Sequence, residues 1–244
     1  VPDVATLPTV TGECSATIGS APTATDACAG TITGTTSDAL TYTTQGTYTV
    51  TWTYDDGNGN TISQNQTVIV DDVTPPTPDV ATLPAVTGEC SATIGSAPTA
   101  TDNCAGTITG TTTDALTYTT QGTYTVTWTY DDGNGNTITQ NQTVTVDDTT
   151  DPVPDVATLP TVTGECSATI ATPPTATDAC AGTITGTTSD ALTYTTQGTY
   201  TVTWTYDDGN GNTVTQNQTV IVDDTTDPVP DVATLPTVTG ECSA

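Results

Sequence analysis

From Thr47 to Tyr54 the chain alternates between threonine and larger side chains, with Tyr48, Val50, Trp52 and Tyr54 on one face and four threonines on the other. Successive side chains of a strand point to opposite faces, so a strict period of two predicts a half-buried antiparallel strand. Asp55-Asp56-Gly57-Asn58-Gly59-Asn60 follows, dense in residues that tolerate positive φ, and predicts a hairpin connection. The return strand is expected over Thr61–Val70, with Ile62, Val68 and Val70 facing inward and Ile69 outward. Shorter strands are expected near Thr9–Thr11, Ser15–Ile18, Thr31–Thr35 and Leu40–Thr43, and no segment has a helical period. Trp52 is the expected centre of the core. Tyr48, just after Gly46-Thr47, is placed either as a corner tyrosine bonded back to the preceding loop or as a simple core residue.

The pattern then repeats. Pro2-Asp3-Val4-Ala5-Thr6-Leu7-Pro8 returns at Pro78, Pro154 and Pro230, a period of 76 residues. Residues 2–77 and 78–153 differ at eight places, positions 9, 27, 37, 63, 69, 73, 75 and 77 of the first copy, none of them Cys, Trp, Tyr or Gly. Seven or so short strands per copy describe an all-β chain, a tandem array of small Ig-like antiparallel sandwiches. The expected domains are residues 1–77, 78–153 and 154–229, with 230–244 beginning a fourth copy. The chain therefore reads as a window on a longer array. Short linkers with prolines, Val73–Pro78 and Thr149–Pro154, predict copies in single file.

Composition narrows the function. There is no Lys, Arg or His against 28 Asp and Glu, a formal charge of −28. That excludes the electrostatic footprint of a nucleic-acid binder and a polybasic grip on anionic lipid. It also removes imidazole, ammonium and guanidinium from any catalytic scheme. Within a copy the adjacent carboxylates are Asp55 with Asp56 and Asp71 with Asp72, whereas paired-acid hydrolases set two carboxyls across a cleft. No enzyme is expected, and no insertion into a membrane.

The cysteines recur at constant spacing as Cys14 and Cys28, Cys90 and Cys104, and Cys166 and Cys180, with Cys242 opening a further pair. An even number per copy and the absence of histidine favour disulfides over zinc. The expected bridges lie within each copy, Cys14–Cys28 and its equivalents, and imply an oxidising, extracellular setting.

The unit resembles the hyalin-repeat (HYR) family of Ig-like modules. The matching words are Glu13-Cys14-Ser15-Ala16-Thr17-Ile18, Ala21-Pro22-Thr23-Ala24-Thr25-Asp26 leading to Cys28, and Asp102-Asn103-Cys104 in the second copy. Tyr48-Thr49-Val50 leading to Asp56-Gly57, Asn60-Thr61, and Val68-Ile69-Val70-Asp71-Asp72 with Pro75-Pro76 match its closing hairpin and exit. Near-identical tandem copies look most like giant cell-surface proteins of Bacteroidetes-type bacteria, linked to gliding or adhesion and exported by the type IX route. The family often has a second cysteine pair, and here Leu7-Pro8 and Ser63-Gln64 stand in those regions. The resemblance implies a fold and a setting, and no reaction.

In an Ig-type sandwich the chain enters at the pole that carries the last hairpin, and the preceding copy exits onto it. The first junction is therefore expected to gather Asp71 and Asp72 with Asp79, Asp102, Asp131 and Asp132, and the second Asp147 and Asp148 with Asp155, Asp178, Asp207 and Asp208. Carboxylates without a cationic partner either bind hard divalent cations, above all Ca²⁺, or splay into water and keep the array extended. The hairpin from Asp56 begins like an EF-hand loop, but Thr61 replaces the sixth-position Gly and Thr67 the twelfth-position Glu, so that reading fails. Asn65, Asn141 and Asn217 head N-glycosylation sequons, and Thr149 and Thr225 lie in Asp-Thr-Thr words that resemble Bacteroidetes O-glycosylation sites.

The leading expectation is a structural stalk or filament segment in a bacterial surface adhesin or fibre, with copy number setting reach. The alternative is a glycan- or protein-binding adhesive module. Partners are then neighbouring copies of the same chain, with lateral self-association as a further possibility.

Overall fold

The computed structural model describes residues 1–242. They form two compact units, one from Val1 to Val146 and one from Asp147 onward. The first unit contains two hydrophobic cores and the second contains one. All regular structure among the described residues is strand, and each copy is an Ig-like sandwich.

In the first copy the strands are β1 (Val10–Gly12), β2 (Ala16–Thr17), β3 (Thr23–Asp26), β4 (Gly30–Thr33), β5 (Thr41–Tyr42), β6 (Gly46–Asp55) and β7 (Thr61–Val70); β8 (Thr77–Pro78) opens the second copy. The long β6–β7 hairpin pairs Gly46 with Val70 through Asp55 with Thr61. β1 lies parallel to β7, Val10 opposite Val68 and Gly12 opposite Val70. β2 pairs with β5 and β3 with β4, both antiparallel, and a Thr35–Thr53 bridge ties the β4 side to β6.

The alternation read from the sequence is the burial pattern observed. Val50, Trp52, Tyr54, Val68 and Val70 are buried, and the facing threonines of β6 are solvated or half-buried. Tyr48 is a corner tyrosine: its hydroxyl donates to the Thr44 carbonyl at 2.8 Å, and its ring stacks on Tyr42 with centroids 4.2 Å apart.

Two local expectations need correction. β3 was not foreseen, because its inward residue is Ala24, a small side chain with weak strand preference that leaves no apolar signal. Ile62 was expected inside but is 48% exposed, at the open end of the hairpin. It lines a hollow of about 200 Å³ with Ala24, Asp26, Ile32, Tyr54 and Asp56. In the second copy its equivalent, Ile138, packs against the core.

A buried polar hinge completes the core. Trp52 Nε1 donates to Gln66 Oε1 at 3.0 Å, and Gln66 Nε2 donates to the Pro8 carbonyl at 3.0 Å. The Gln66→Leu variant leaves the buried Trp52 Nε1 without an acceptor, at about 1–3 kcal/mol for one stranded group. We expect urea unfolding of this variant to move the transition of the first unit, which carries Trp52 and Trp128, to a lower midpoint.

Candidate junction and cation site

The junction between the first and second copies lies inside the first unit and begins where β7 ends. Because β1 runs parallel to β7, the loop that follows β1 stands at the exit pole. The Asp71 amide donates to the Gly12 carbonyl at 3.0 Å. Gln45 then stitches the loop to the exit, its amide donating to the Glu13 carbonyl and its Oε1 accepting the Asp72 amide, both at 2.9 Å. Cys14 is thus held at the exit pole.

The chain runs from there into β8, where Pro78 pairs with Ala100 and Thr77 with Thr101. The partner strand, Thr99–Asp102, ends in the turn that carries Cys104. Asp102 Oδ1 accepts the amides of Cys104 and Ala105, each at 2.8 Å. Cys104 therefore sits at the entry pole of the second copy, facing the exit pole of the first.

The consequence is a disulfide between copies, Cys14–Cys104, across a sequence separation of 90. This overturns the expected Cys14–Cys28 bridge. Cys28 occupies the turn equivalent to that of Cys104, at the entry pole, while Cys14 is at the exit pole of the same sandwich. Cys28, Cys166 and Cys242 are exposed thiols, and Cys90 and Cys180 are disulfide-bonded. The internal pairs Cys90–Cys104 and Cys166–Cys180 fall with the first, since Cys104 is bonded to Cys14 and Cys166 is free.

Side chains also cross the first junction. Asn103 Nδ2 donates to Glu13 Oε2 at 2.5 Å, Asn134 Nδ2 to Asp72 Oδ2 at 2.9 Å, and Asn136 Nδ2 to the Asp72 carbonyl at 2.9 Å. Sequence reading missed Glu13, Gln45, Asn103, Asn134 and Asn136 as clamp residues. The one available signal was Asn103, which stands where the first and third copies have Ala27 and Ala179.

Of the six acidic residues expected at this junction, three converge. Asp72 and Asp102 are 4% exposed and Asp132 is 9% exposed, and one carboxylate oxygen of each lies within 4.8 Å of the others. Their first-copy equivalents Asp26 and Asp56 are only half-buried. Asp102 Oδ2 is buried without a hydrogen-bond partner. Burial pushes the Asp132 carboxyl up, but the Asn136 side chain and the amides of Asn134, Asn136 and Gly135 outweigh it and hold the group below its ordinary value. Oxygens bound to one Ca²⁺ at about 2.3–2.6 Å lie up to about 5 Å apart, so the three carboxylates fit round one such ion.

The other three have different work. Asp71 and Asp131 are exposed, and Asp131 Oδ1 accepts the Gly133 amide within the hairpin. Asp79 is clamped by two hydroxyls, Thr99 at 2.5 Å and Thr101 at 2.7 Å. The second unit repeats part of the arrangement. Asp148, Asp178 and Cys180 cluster, Asp208 is buried, and Asp178 Oδ2 is again buried and partnerless. Asn210 and Asn212 donate to Asp148, while Asp147, Asp155 and Asp207 are exposed.

The threonine clamps on Asp3, Asp79 and Asp155 set one pH response. In each, the two threonine hydroxyls lower the carboxyl below 3.8. A group depressed in the folded state contributes stability that is present above the unfolded value and is lost as pH falls through the folded one. Melting temperature should therefore fall as pH drops below about 3.8, the ordinary carboxyl value. Asp79→Asn should flatten part of that slope in an acid titration followed by circular dichroism.

The sequon residues Asn65, Asn141 and Asn217 are exposed on the return strands, as are Thr149 and Thr225 in the segments beyond them. Asn65 and Asn141 each accept a threonine hydroxyl at 3.2 Å from the neighbouring strand.

Residues 149–222 match the family model of the HYR-like domain with 4 cysteines. No curated protein matches the chain. Among solved structures, the protocadherin GammaB4 extracellular domain aligns over 79% of this chain at 18% identity and a TM-score of 0.30, and the chain spans 41% of that structure. Mouse clustered PcdhgC3 EC1-3 aligns over 74% of this chain and 77% of its own at 12% identity and a TM-score of 0.31. Drosophila N-cadherin EC1-3 aligns over 73% and 77% at 12% identity and a TM-score of 0.26. Similarity of this degree bears on no residue or activity of this chain.

Proposed function

We propose that the chain is a non-enzymatic spacer segment of an extracellular stalk or fibre on a bacterial surface, built from modules 1–77, 78–153 and 154–229. The observation that carries this reading is the Cys14–Cys104 bridge, which joins one module to the next instead of closing a loop within one. A disulfide of that kind ties the first module to the next and holds the two faces of the junction together. It also belongs to an oxidising compartment. The asparagine clamps on Asp72 act in the same sense. Calcium held by the buried carboxylates is the third element of the joint, since the chain has no cationic side chain to neutralise them.

Near-identical copies suit a part whose length matters, and the large aromatics that would anchor a ligand are in the cores. No helix among the described residues is long and apolar enough to cross a membrane. The test is glycan-array and surface-binding measurement on the full chain together with single-molecule stretching. A spacer binds nothing at micromolar concentration and extends as modules that stay linked until the bridge is reduced. Saturable binding of a glycan or protein would instead establish the adhesive-module reading.

A further inference from the structure

Resting on the reading of the junction as a cation-holding joint, we infer that Asp72 of the first copy and Asp102 and Asp132 of the second hold one calcium-class ion, and that this ion and the Cys14–Cys104 bridge stabilise each other. The link runs through Asp102. Its Oδ1 accepts the amides of Cys104 and Ala105 and so shapes the turn that presents one bridging sulfur. Its Oδ2 is buried and has no partner, which leaves that oxygen for an ion. On the other side, Asp72 is tied through Gln45 to Glu13, the neighbour of Cys14. The elements that present the two sulfurs therefore also present the ion's ligands from the two copies.

An internal comparison supports the link. Among the described residues, the buried partnerless carboxylate oxygens belong to Asp102 and Asp178, two residues before the disulfide-bonded Cys104 and Cys180. Asp26, two residues before the free thiol of Cys28, is half-buried and has no such oxygen. Closing the bridge forces Asp72 against Asp102 and Asp132, a convergence of like charge that no side chain in this protein can neutralise. An ion removes the repulsion, and by linkage whatever the bridge does for the ion, the ion does for the bridge.

Calcium titration calorimetry at pH 7.5 on the full oxidised chain and on its Cys14→Ser/Cys104→Ser variant tests the inference. The second cluster, around Asp148 and Asp178, serves as an internal reference in both. The expected result is binding at the first junction weakened about tenfold in the variant, within the range usual for coupled sites. The reciprocal measurement equilibrates the chain in glutathione buffer. There the two cysteine thiols reduce one glutathione disulfide, forming the Cys14–Cys104 bond and releasing two molecules of reduced glutathione. Saturating calcium should shift this equilibrium towards the bridge by the same factor, read by mass spectrometry of trapped peptides. Asp102→Asn keeps an oxygen for the Cys104 and Ala105 amides but loses the charge, and should abolish both effects while the bridge still forms. Equal affinity with and without the bridge overturns the coupling and leaves the cation reading standing. Absence of calcium binding in the oxidised chain overturns the cation reading itself.

Discussion

Replacing Cys14 by serine lowers the stability of residues 1–146 by roughly 4–5 kcal/mol, the chain-entropy value for a closed loop of this size. The bridge spans 90 residues, so it removes much of the freedom of an unfolded first unit. Urea unfolding should therefore change from one transition over two copies to two weaker ones. The same substitution in a chain bridged Cys14–Cys28 would cost about 3 kcal/mol, and Cys28→Ser would cost as much. Here Cys28 is an exposed free thiol, so Cys28→Ser should leave the urea midpoint where it is. Non-reducing digestion gives the direct answer. A peptide linking Cys14 to Cys28 would refute the architecture. Trypsin is useless for the purpose, because the chain has no Lys or Arg.

The second large effect is calcium. An ion bound only to the folded form at a hundred times its dissociation constant adds about 2.7 kcal/mol per site. For a cooperative unit the size of Val1–Val146 each kcal/mol moves the melting temperature by about 2–4 °C, so the expected rise there is about 5–11 °C between chelator and saturating calcium. Magnesium should do less, because it requires tighter octahedral geometry and gives up its waters reluctantly. Asp72→Asn and Asp102→Asn should each remove the first junction's share, whereas Asp71→Asn and Asp131→Asn, in exposed positions outside the cluster, should remove none. A melting curve indifferent to calcium over the millimolar range would leave the joint to the bridge and the asparagine clamps alone.

Most of the module was legible because its signals are local. The alternation from Thr47 to Tyr54, the glycine- and asparagine-rich hairpin and the return strand are properties of neighbouring residues, and they became β6 and β7. The 76-residue period and the bare −28 charge needed no structure. The short strands were harder. β3 is marked inside only by Ala24, and Ile62 shares the inward face of its strand yet stands 48% exposed at the open end of the hairpin.

The pairing of the cysteines could not be read in this way. Spacing along the chain favoured Cys14 with Cys28, but spacing does not say at which pole of a sandwich a loop stands. That depends on the parallel register of β1 on β7, a contact between residues nearly sixty positions apart, Val10 with Val68. The acidic residues divide on the same ground. Sequence alone placed Asp71, Asp72, Asp79, Asp102, Asp131 and Asp132 near one junction, since the chain's path from copy to copy brings them there. Which three turn inward was decided by the pleat and the packing. Adjacent residues of a strand end face opposite ways, so Asp72 and Asp132 are buried while Asp71 and Asp131 meet solvent. The repeat, the fold class and the absence of cationic chemistry thus belong to the sequence. The bridge between copies and the buried carboxylate triad belong to the tertiary structure, because each requires two surfaces distant in the chain to meet.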